Sequence, residues 1–276
     1  GSIMKPLTMA AGLDSGAITA TSTYNDKGFL ILDKKRISNF DDKGRGVVNM
    51  QEVLNQSLNT GVAYAVSRMG NKVFADYMKA FGLGEETGVD LPAEAHGLME
   101  NLKSTRDIEY ATASYGQGIA TTPIATVRAL SAIANGGVLV RPHVAEKIQY
   151  KIGLSKGMDA EPGARVISEK TSDEITRMLV EVVDKALLGG TVKLPRHSVA
   201  AKTGTAQIPN PKGGGYYDDR ALHAFFGYFP AYKPRFLVFL YTVHPKEVRF
   251  ASETLTHPFM DIAKFLIQYY EIPPDR

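Results

Sequence analysis

Apolar residues recur at helical spacing through much of the chain, then gather into strand-length runs between residues 197 and 243 before a last helical stretch. Within 49–69, Val53, Leu54, Leu58, Val62, Ala65, Val66 and Met69 keep the i, i+3/i+4 rhythm. That predicts one long helix or a broken pair, with Gly61 as the candidate break. The same pattern puts helices at 2–13, with Ser2 in the opening turn and Pro6 near the start, and at 71–81, stopped by Gly82-Leu83-Gly84. Others are expected at 121–135, with Pro123 in the first turn and Gly136-Gly137 past the end, at 169–188 before Gly189-Gly190, and at 252–270. Residues 14–46 are polar and Gly-rich, an irregular excursion with short extended pieces around 28–32; 87–97 is a turn-rich connector and 138–167 holds short strands and loops. Strands are predicted at 197–207, 221–229 and 235–243, joined by the Gly/Pro-rich loop 208–219 and a tight turn at 230–234. These elements describe an α/β chain of the α+β kind. A mostly helical lobe covers about 8–165, and about 1–7 with 166–276 form a lobe in which an antiparallel hairpin sheet packs on long helices.

Composition narrows the class. A chain of 276 residues can hold one large domain or two lobes sharing a core, and 44% hydrophobic with 22% charged residues is ordinary for a globular protein. The net charge of +3 is small, and no Lys/Arg run argues for nucleic acid. The absence of cysteine excludes disulfides, thiol catalysis and Cys-type zinc sites, and suits an oxidising compartment. The six histidines form no His-x-x-x-His pair, so no metal is expected. No run of 18 apolar residues occurs, so no segment of this chain is expected to span a membrane.

Three short segments carry candidate chemistry. Ser2-Ile3-Met4-Lys5 sets a hydroxyl and an amine three residues apart, on one face of a helix whose N-terminus favours a developing alkoxide. Ser57-Leu58-Asn59 falls where Asn55, Gln56 and Thr60 interrupt the apolar rhythm. Lys202-Thr203-Gly204-Thr205 ends a short apolar strand with an ammonium, two hydroxyls and a position without a side chain, a set suited to gripping a carboxylate while a substrate backbone lies flat. Each has a bland alternative: a solvated Ser and Lys on an ordinary helix, helix capping by Ser57 and Asn59, and a strand with a glycine turn. Ser-x-x-Lys and Ser-x-Asn each arise by chance about once in a chain of this size. All three in this order are the signature of class A β-lactamases and penicillin-binding proteins, and the chain resembles that serine acyl-transferase superfamily.

Within it, Ser114-Tyr115-Gly116-Gln117-Gly118-Ile119-Ala120-Thr121-Thr122-Pro123 and Ala134-Asn135-Gly136-Gly137 look like class B penicillin-binding proteins. So do Phe81-Gly82-Leu83-Gly84, Asp90-Leu91-Pro92-Ala93-Glu94, Phe226-Gly227-Tyr228-Phe229-Pro230 and Ile272-Pro273-Pro274. The cell-division (septal) type is the better match. The resemblance implies a β-lactamase/transpeptidase-like fold and a D,D-transpeptidase that cross-links peptidoglycan stem peptides through an acyl-enzyme on Ser2, with β-lactams acylating the same serine. Lys5 is then the base, Ser57 the proton relay to the leaving amine, and Asn59 a hydrogen-bond partner of the acyl side chain. Lys202, Thr203 and Thr205 receive the terminal carboxylate beside Gly204, and the amides of Ser2 and Thr205 form the oxyanion hole.

No metal or organic cofactor is implied. The expected setting is the extracytoplasmic face of the bacterial cytoplasmic membrane, with a membrane glycan polymerase and division proteins as partners of the full-length protein. Two departures from the family pattern stand out. Ala201 precedes Lys202 where many relatives have Gly. The two sheet strands that precede the serine helix in relatives are absent, with the membrane anchor and N-terminal pedestal, so an open sheet edge and a marginally stable or aggregation-prone chain are expected. The rivals share the superfamily: a β-lactamase, which needs a water-activating base such as the Glu-x-x-x-Asn glutamate not found between the second and third motifs, a D,D-carboxypeptidase, and a non-enzymatic β-lactam-sensing domain.

Overall fold

The computed structural model describes residues 1–158 and 162–276. Its centre is α1 (Lys5–Asp14), entered through a 3-10 turn at Ser2–Met4. Every residue from Lys5 to Gly12 is buried, so this helix presents no solvent face and must be surrounded by others. It packs on α3 (Asn59–Met69), α4 (Asn71–Ala80), α6 (Pro123–Ala134) and α7 (Glu169–Glu181). Local chemistry sets the helix starts. Thr122 accepts from the Ala125 amide with Pro123 at the first helical position of α6, and Ser168 accepts from the Thr171 amide at the start of α7.

The excursion at 14–46 is more regular than its composition suggests. β1 (Thr23–Asp26) pairs with β4 (Gly46–Asn49), and β2 (Phe29–Leu32) with β3 (Lys35–Ser38), each antiparallel. α2 (Met50–Asn55) follows, capped by Asn49, whose side chain accepts from the Glu52 amide. The expected break at Gly61 is corrected: the chain breaks at residues 56–58, and Gly61 lies inside α3. A Cβ on Gly61 would fall 2.3 Å from Val53 Cγ2 and 3.0 Å from the Tyr24 hydroxyl, so glycine there serves close packing of α3 on α2 and β1. A helix that the periodicity did not foresee, α5 (Asp107–Ala113), precedes the loop at 114–122. Two short antiparallel pairs occupy 138–165: β5 (Val138–Val140) with β8 (Pro162–Arg165), and β6 (Lys147–Gln149) with β7 (Ser155–Gly157). The helix expected to reach 188 leaves regular geometry after Glu181, continuing as a wider turn at Val182–Ala186 and a 3-10 turn at Leu187–Gly190.

The main sheet has three antiparallel strands in the order β11 (Phe236–Val243), β10 (Tyr216–Phe229), β9 (Ala200–Pro209). Side chains alternate across it. Ala224, Phe226 and Tyr228 join the core around α1 and α7, while Phe225 and Phe229 join Phe259 and Met260 of α8 (Ala251–Tyr269) on the other face. β9 is the edge strand beside the Ser2–Met4 turn.

Candidate active site

The break between α2 and α3 brings Ser57 to the centre of the site. Ser57 has φ of 54°, a left-handed conformation that costs a non-glycine residue free energy and persists only where its surroundings hold it. Here two lysines hold it. Lys5 Nζ donates to the Ser57 carbonyl at 2.5 Å and to Ser57 Oγ at 3.2 Å, and Lys202 Nζ donates to the same Oγ at 3.0 Å. Lys202 also donates to the Thr203 carbonyl at 3.0 Å. One hydroxyl thus bridges amines from the first helix and the last sheet.

Both lysines are buried, and this governs their charge. Burial, and then the neighbouring Lys202 ammonium, push Lys5 well below the ordinary lysine range. Burial brings Lys202 down to about 8. Lys5 is therefore the amine prepared to stay neutral and accept a proton, and Lys202 the one that keeps its charge at neutral pH.

Ser2 sits in the 3-10 turn that leads into Lys5, half-buried, and its hydroxyl makes no hydrogen bond among the described residues. Gly204 explains how strand and turn come so close. An added Cβ there would lie 2.9 Å from the Ile3 nitrogen and 3.1 Å from the Ser2 nitrogen, so only glycine lets β9 pass against the turn. Thr205 Oγ1 accepts from the Ala251 amide at 3.0 Å, which leaves its own proton free to donate.

The capping alternative for Ser57 and Asn59 does not describe what they do. Leu58 is the N-cap of α3 and no side chain caps it. Asn59 Nδ2 donates to the Ser38 carbonyl at 2.9 Å, tying α3 to β3 and leaving its oxygen available.

Ser2, Ser57, Asn59, Lys202, Thr203 and Thr205 all line one cleft of about 1190 Å³; Lys5 and Gly204 lie buried beside it. Across its mouth the Gly118 amide donates to the Tyr216 hydroxyl at 3.0 Å, joining the β9–β10 hairpin to the opposite wall.

Sequence reasoning missed the support behind Asn59. Asp26 is buried and accepts from Gly28 N, Arg45 N, Asn39 Nδ2 and Thr60 Oγ1 at 2.8–3.1 Å. This locks the β1–β4 segment to the first turn of α3. No local motif announces it, because its members are scattered over 34 positions. Among the described residues no group of three or more His, Cys, Asp or Glu side chains could hold a metal ion, and no helix is long and apolar enough to cross a membrane.

Comparison with known proteins places the chain in a family. The family model described as the penicillin binding protein transpeptidase domain matches residues 1–264. The chain is 33% identical over 249 residues to stage V sporulation protein D of Bacillus subtilis, covering 89% of this chain and 38% of that protein. It is 32% identical to the probable peptidoglycan D,D-transpeptidase FtsI of Caulobacter vibrioides over 89% of this chain and 41% of that one. Penicillin binding protein 3 of Mycobacterium tuberculosis, solved in complex with aztreonam, superposes on the whole chain with a TM-score of 0.90 at 27% identity, and 63% of that structure is covered. The chain thus spans about two-fifths of the length of those two curated relatives.

Proposed function

Because the chain belongs to the family of penicillin-binding-protein transpeptidase domains, we propose that it is a serine D,D-transpeptidase that cross-links peptidoglycan stem peptides. The observation that carries the reading is the placement of Ser57 Oγ between the two buried lysines, 3.2 Å from Lys5 Nζ and 3.0 Å from Lys202 Nζ, on the wall of a cleft that also holds the unengaged Ser2 hydroxyl.

In this reading Lys5, neutral because it is desolvated, takes the Ser2 proton as Oγ attacks the carbonyl of the penultimate D-alanine. The amides of Ser2 and Thr205 receive the oxyanion, donors worth about 3–4 kcal/mol each in the barrier. The proton passes from Lys5 through Ser57 Oγ to the leaving nitrogen. The C–N bond breaks, D-alanine departs as the amine, and the acyl group remains as an ester on Ser2. A second stem peptide's amine then attacks that ester, its proton returns along the same relay, and Ser2 is regenerated. Lys202, with the Thr203 and Thr205 hydroxyls, holds the terminal carboxylate of the donor. Asn59 meets the acyl side chain. A β-lactam presents a strained amide and a carboxylate to the same groups and leaves a stable ester.

The likeness to FtsI and to a sporulation protein supports a place in division-type wall synthesis on the outer face of the cytoplasmic membrane. There, in this reading, the full-length protein meets a membrane glycan polymerase and division proteins. Intact mass spectrometry after incubation with benzylpenicillin tests the proposal. We expect one covalent adduct, lost in Ser2→Ala and persisting for many minutes in the parent. No adduct on the parent chain overturns the acyl-enzyme, and rapid multiple turnover of the drug indicates a β-lactamase instead.

A further inference from the structure

Six cations line the cleft: Lys35, Arg36, Arg45, Lys202, Arg220 and Arg249. Most are engaged. Arg36 pairs with Asp42 at 3.0 Å, Arg45 with Asp41 at 2.8 Å and Arg220 with Asp219 at 3.6 Å, while Lys202 serves Ser57. Arg249 differs. It is exposed, and among the described residues its guanidinium meets neither a carboxylate nor a hydrogen-bond acceptor.

What Arg249 does meet is a ring. Its Cζ stands 5.0 Å from the centroid of Phe250, and Phe250 meets Phe40 edge to face at 5.6 Å. Arg45 completes the row at 5.9 Å from the Phe40 centroid. The row crosses the cleft. Phe40 comes two residues after Ser38, whose carbonyl holds Asn59, and Phe250 comes just before Ala251, whose amide holds Thr205. Its two ends are unlike. The Arg45 guanidinium is saturated by Asp41, the Gln56 side chain and the Lys43 carbonyl, and so anchors the row. The Arg249 guanidinium is steadied by its ring but keeps its N–H donors unspent.

We infer that Arg249 is a specificity-determining residue: it receives a second substrate carboxylate, carried by the acyl side chain of the donor, and so favours stem peptides in which that group is free over those in which it is amidated. The inference deepens the proposed transpeptidase reading and rests on it. In that reading Thr205 holds the terminal carboxylate and Asn59 meets the acyl side chain, and the row spans the space between them. Lys35 also makes no ion pair among the described residues, but it opens β3 beside the turn at Asp33-Lys34 and no ring steadies it. Arginine suits the task. Its planar fork matches the two oxygens of a carboxylate, and the ring against it reduces the entropy lost when a flexible side chain is fixed. Amidation of the substrate group removes the charge and turns one acceptor into a donor that faces other donors.

Carbenicillin and benzylpenicillin test this, because they differ by one carboxylate on the side-chain carbon. The readout is the ratio of their second-order acylation rate constants at neutral pH. Arg249→Gln should lower the carbenicillin-to-benzylpenicillin ratio about fivefold, the upper end for an exposed charge pair. Arg249→Glu should lower it further, and Arg249→Lys, with the charge but not the fork, should fall between Gln and the parent. The parent's ratio should also drop as salt rises from about 0.05 to about 0.5 M, whereas Lys35→Gln should leave the ratio where it is. Ratios that agree within about twofold in parent and Arg249→Gln overturn the inference. A second readout uses Ser2→Ala, which has no hydroxyl to acylate. Its labelled Arg249 Nε–H resonance should shift with a synthetic stem peptide ending in D-alanyl-D-alanine whose preceding residue bears a free carboxylate, and stay in place with the amidated peptide. A resonance that ignores both peptides, or follows both equally, overturns the inference. If the parent forms no adduct with either drug, the acyl-transfer reading fails, while the resonance still decides the role of Arg249.

Discussion

Replacing Gly204 with alanine adds one methyl group where β9 passes the Ser2–Met4 turn, and its effect can be worked out in advance. β9 is extended there, so alanine meets no backbone penalty and the whole effect comes from the new contacts. The added carbon would stand 2.9 Å from the Ile3 nitrogen, 3.0 Å from Ile3 Cγ2 and 3.1 Å from the Ser2 nitrogen. Ordinary contact begins near 3.4 Å, so turn and strand must part by a few tenths of an ångström. Two of the three atoms are main chain and cannot rotate away. Overpacking of this kind costs about 1–3 kcal/mol, or a fall of roughly 2–12 °C in melting temperature for a chain of this size. Catalysis suffers more, because the displaced atoms belong to the proposed nucleophile and one proposed oxyanion donor. A misplacement of about 1 Å costs on the order of 100-fold, so a shift of a few tenths predicts a 10- to 100-fold slower acylation. Stopped-flow acylation with a chromogenic cephalosporin, set beside thermal melting, measures both. An alanine variant acylating within twofold of the parent refutes the close-approach argument, whatever its stability.

Two further expectations follow from buried charge. Because burial brings Lys202 down to about 8 from 10.5, an unfolded chain binds more protons than the folded one between those values. Lys202 therefore makes the fold more stable as pH rises from about 8 to 10.5, by on the order of 3 kcal/mol. The proposed carboxylate grip weakens over the same rise, so acylation should decline above about pH 8 while denaturant stability climbs; Lys202→Met should remove its share of the climb and leave the share that the lowered Lys5 contributes, and a parent whose stability is flat across that window contradicts this. Asp26→Asn sets an amide donor among the donors of Gly28, Asn39, Arg45 and Thr60, and should lose about 2–4 kcal/mol in urea unfolding; a loss below 0.5 kcal/mol would mean the cluster does not hold α3 in place.

The sheet was legible because strand alternation and turn residues are local signals. Predicted strands at 197–207, 221–229 and 235–243 overlap β9, β10 and β11, although β10 begins earlier, at Tyr216, where its pairing with Pro209 is irregular. Helix starts at Thr122 and Ser168 were readable for the same reason, since their caps act within three residues. Gly61 misled because glycine weakens a helix in isolation, whereas here it is what lets Val53 and Tyr24 approach. The true break, at Ser57, is imposed from outside by two lysines 52 and 145 positions away, and no local propensity can encode that. The grouping of Ser2, Ser57 and Lys202 around one cleft was reachable only through the ordered motifs. The Asp26 cluster and the row that ends in Arg249 draw their residues from separate segments, so they become visible only when the chain is folded.

The span of the Ser57–Lys202 contact also bears on when the protein becomes reactive. Lys202 reaches Ser57 across 145 positions, and Gly204 meets the Ser2–Met4 turn from equally far along the sequence. A growing polypeptide therefore carries the proposed nucleophile long before Lys202, and the proposed relay is complete only once β9 is made and docked. A product cut short before β9 lacks Lys202 and Gly204, and with them the contacts that the proposed chemistry needs.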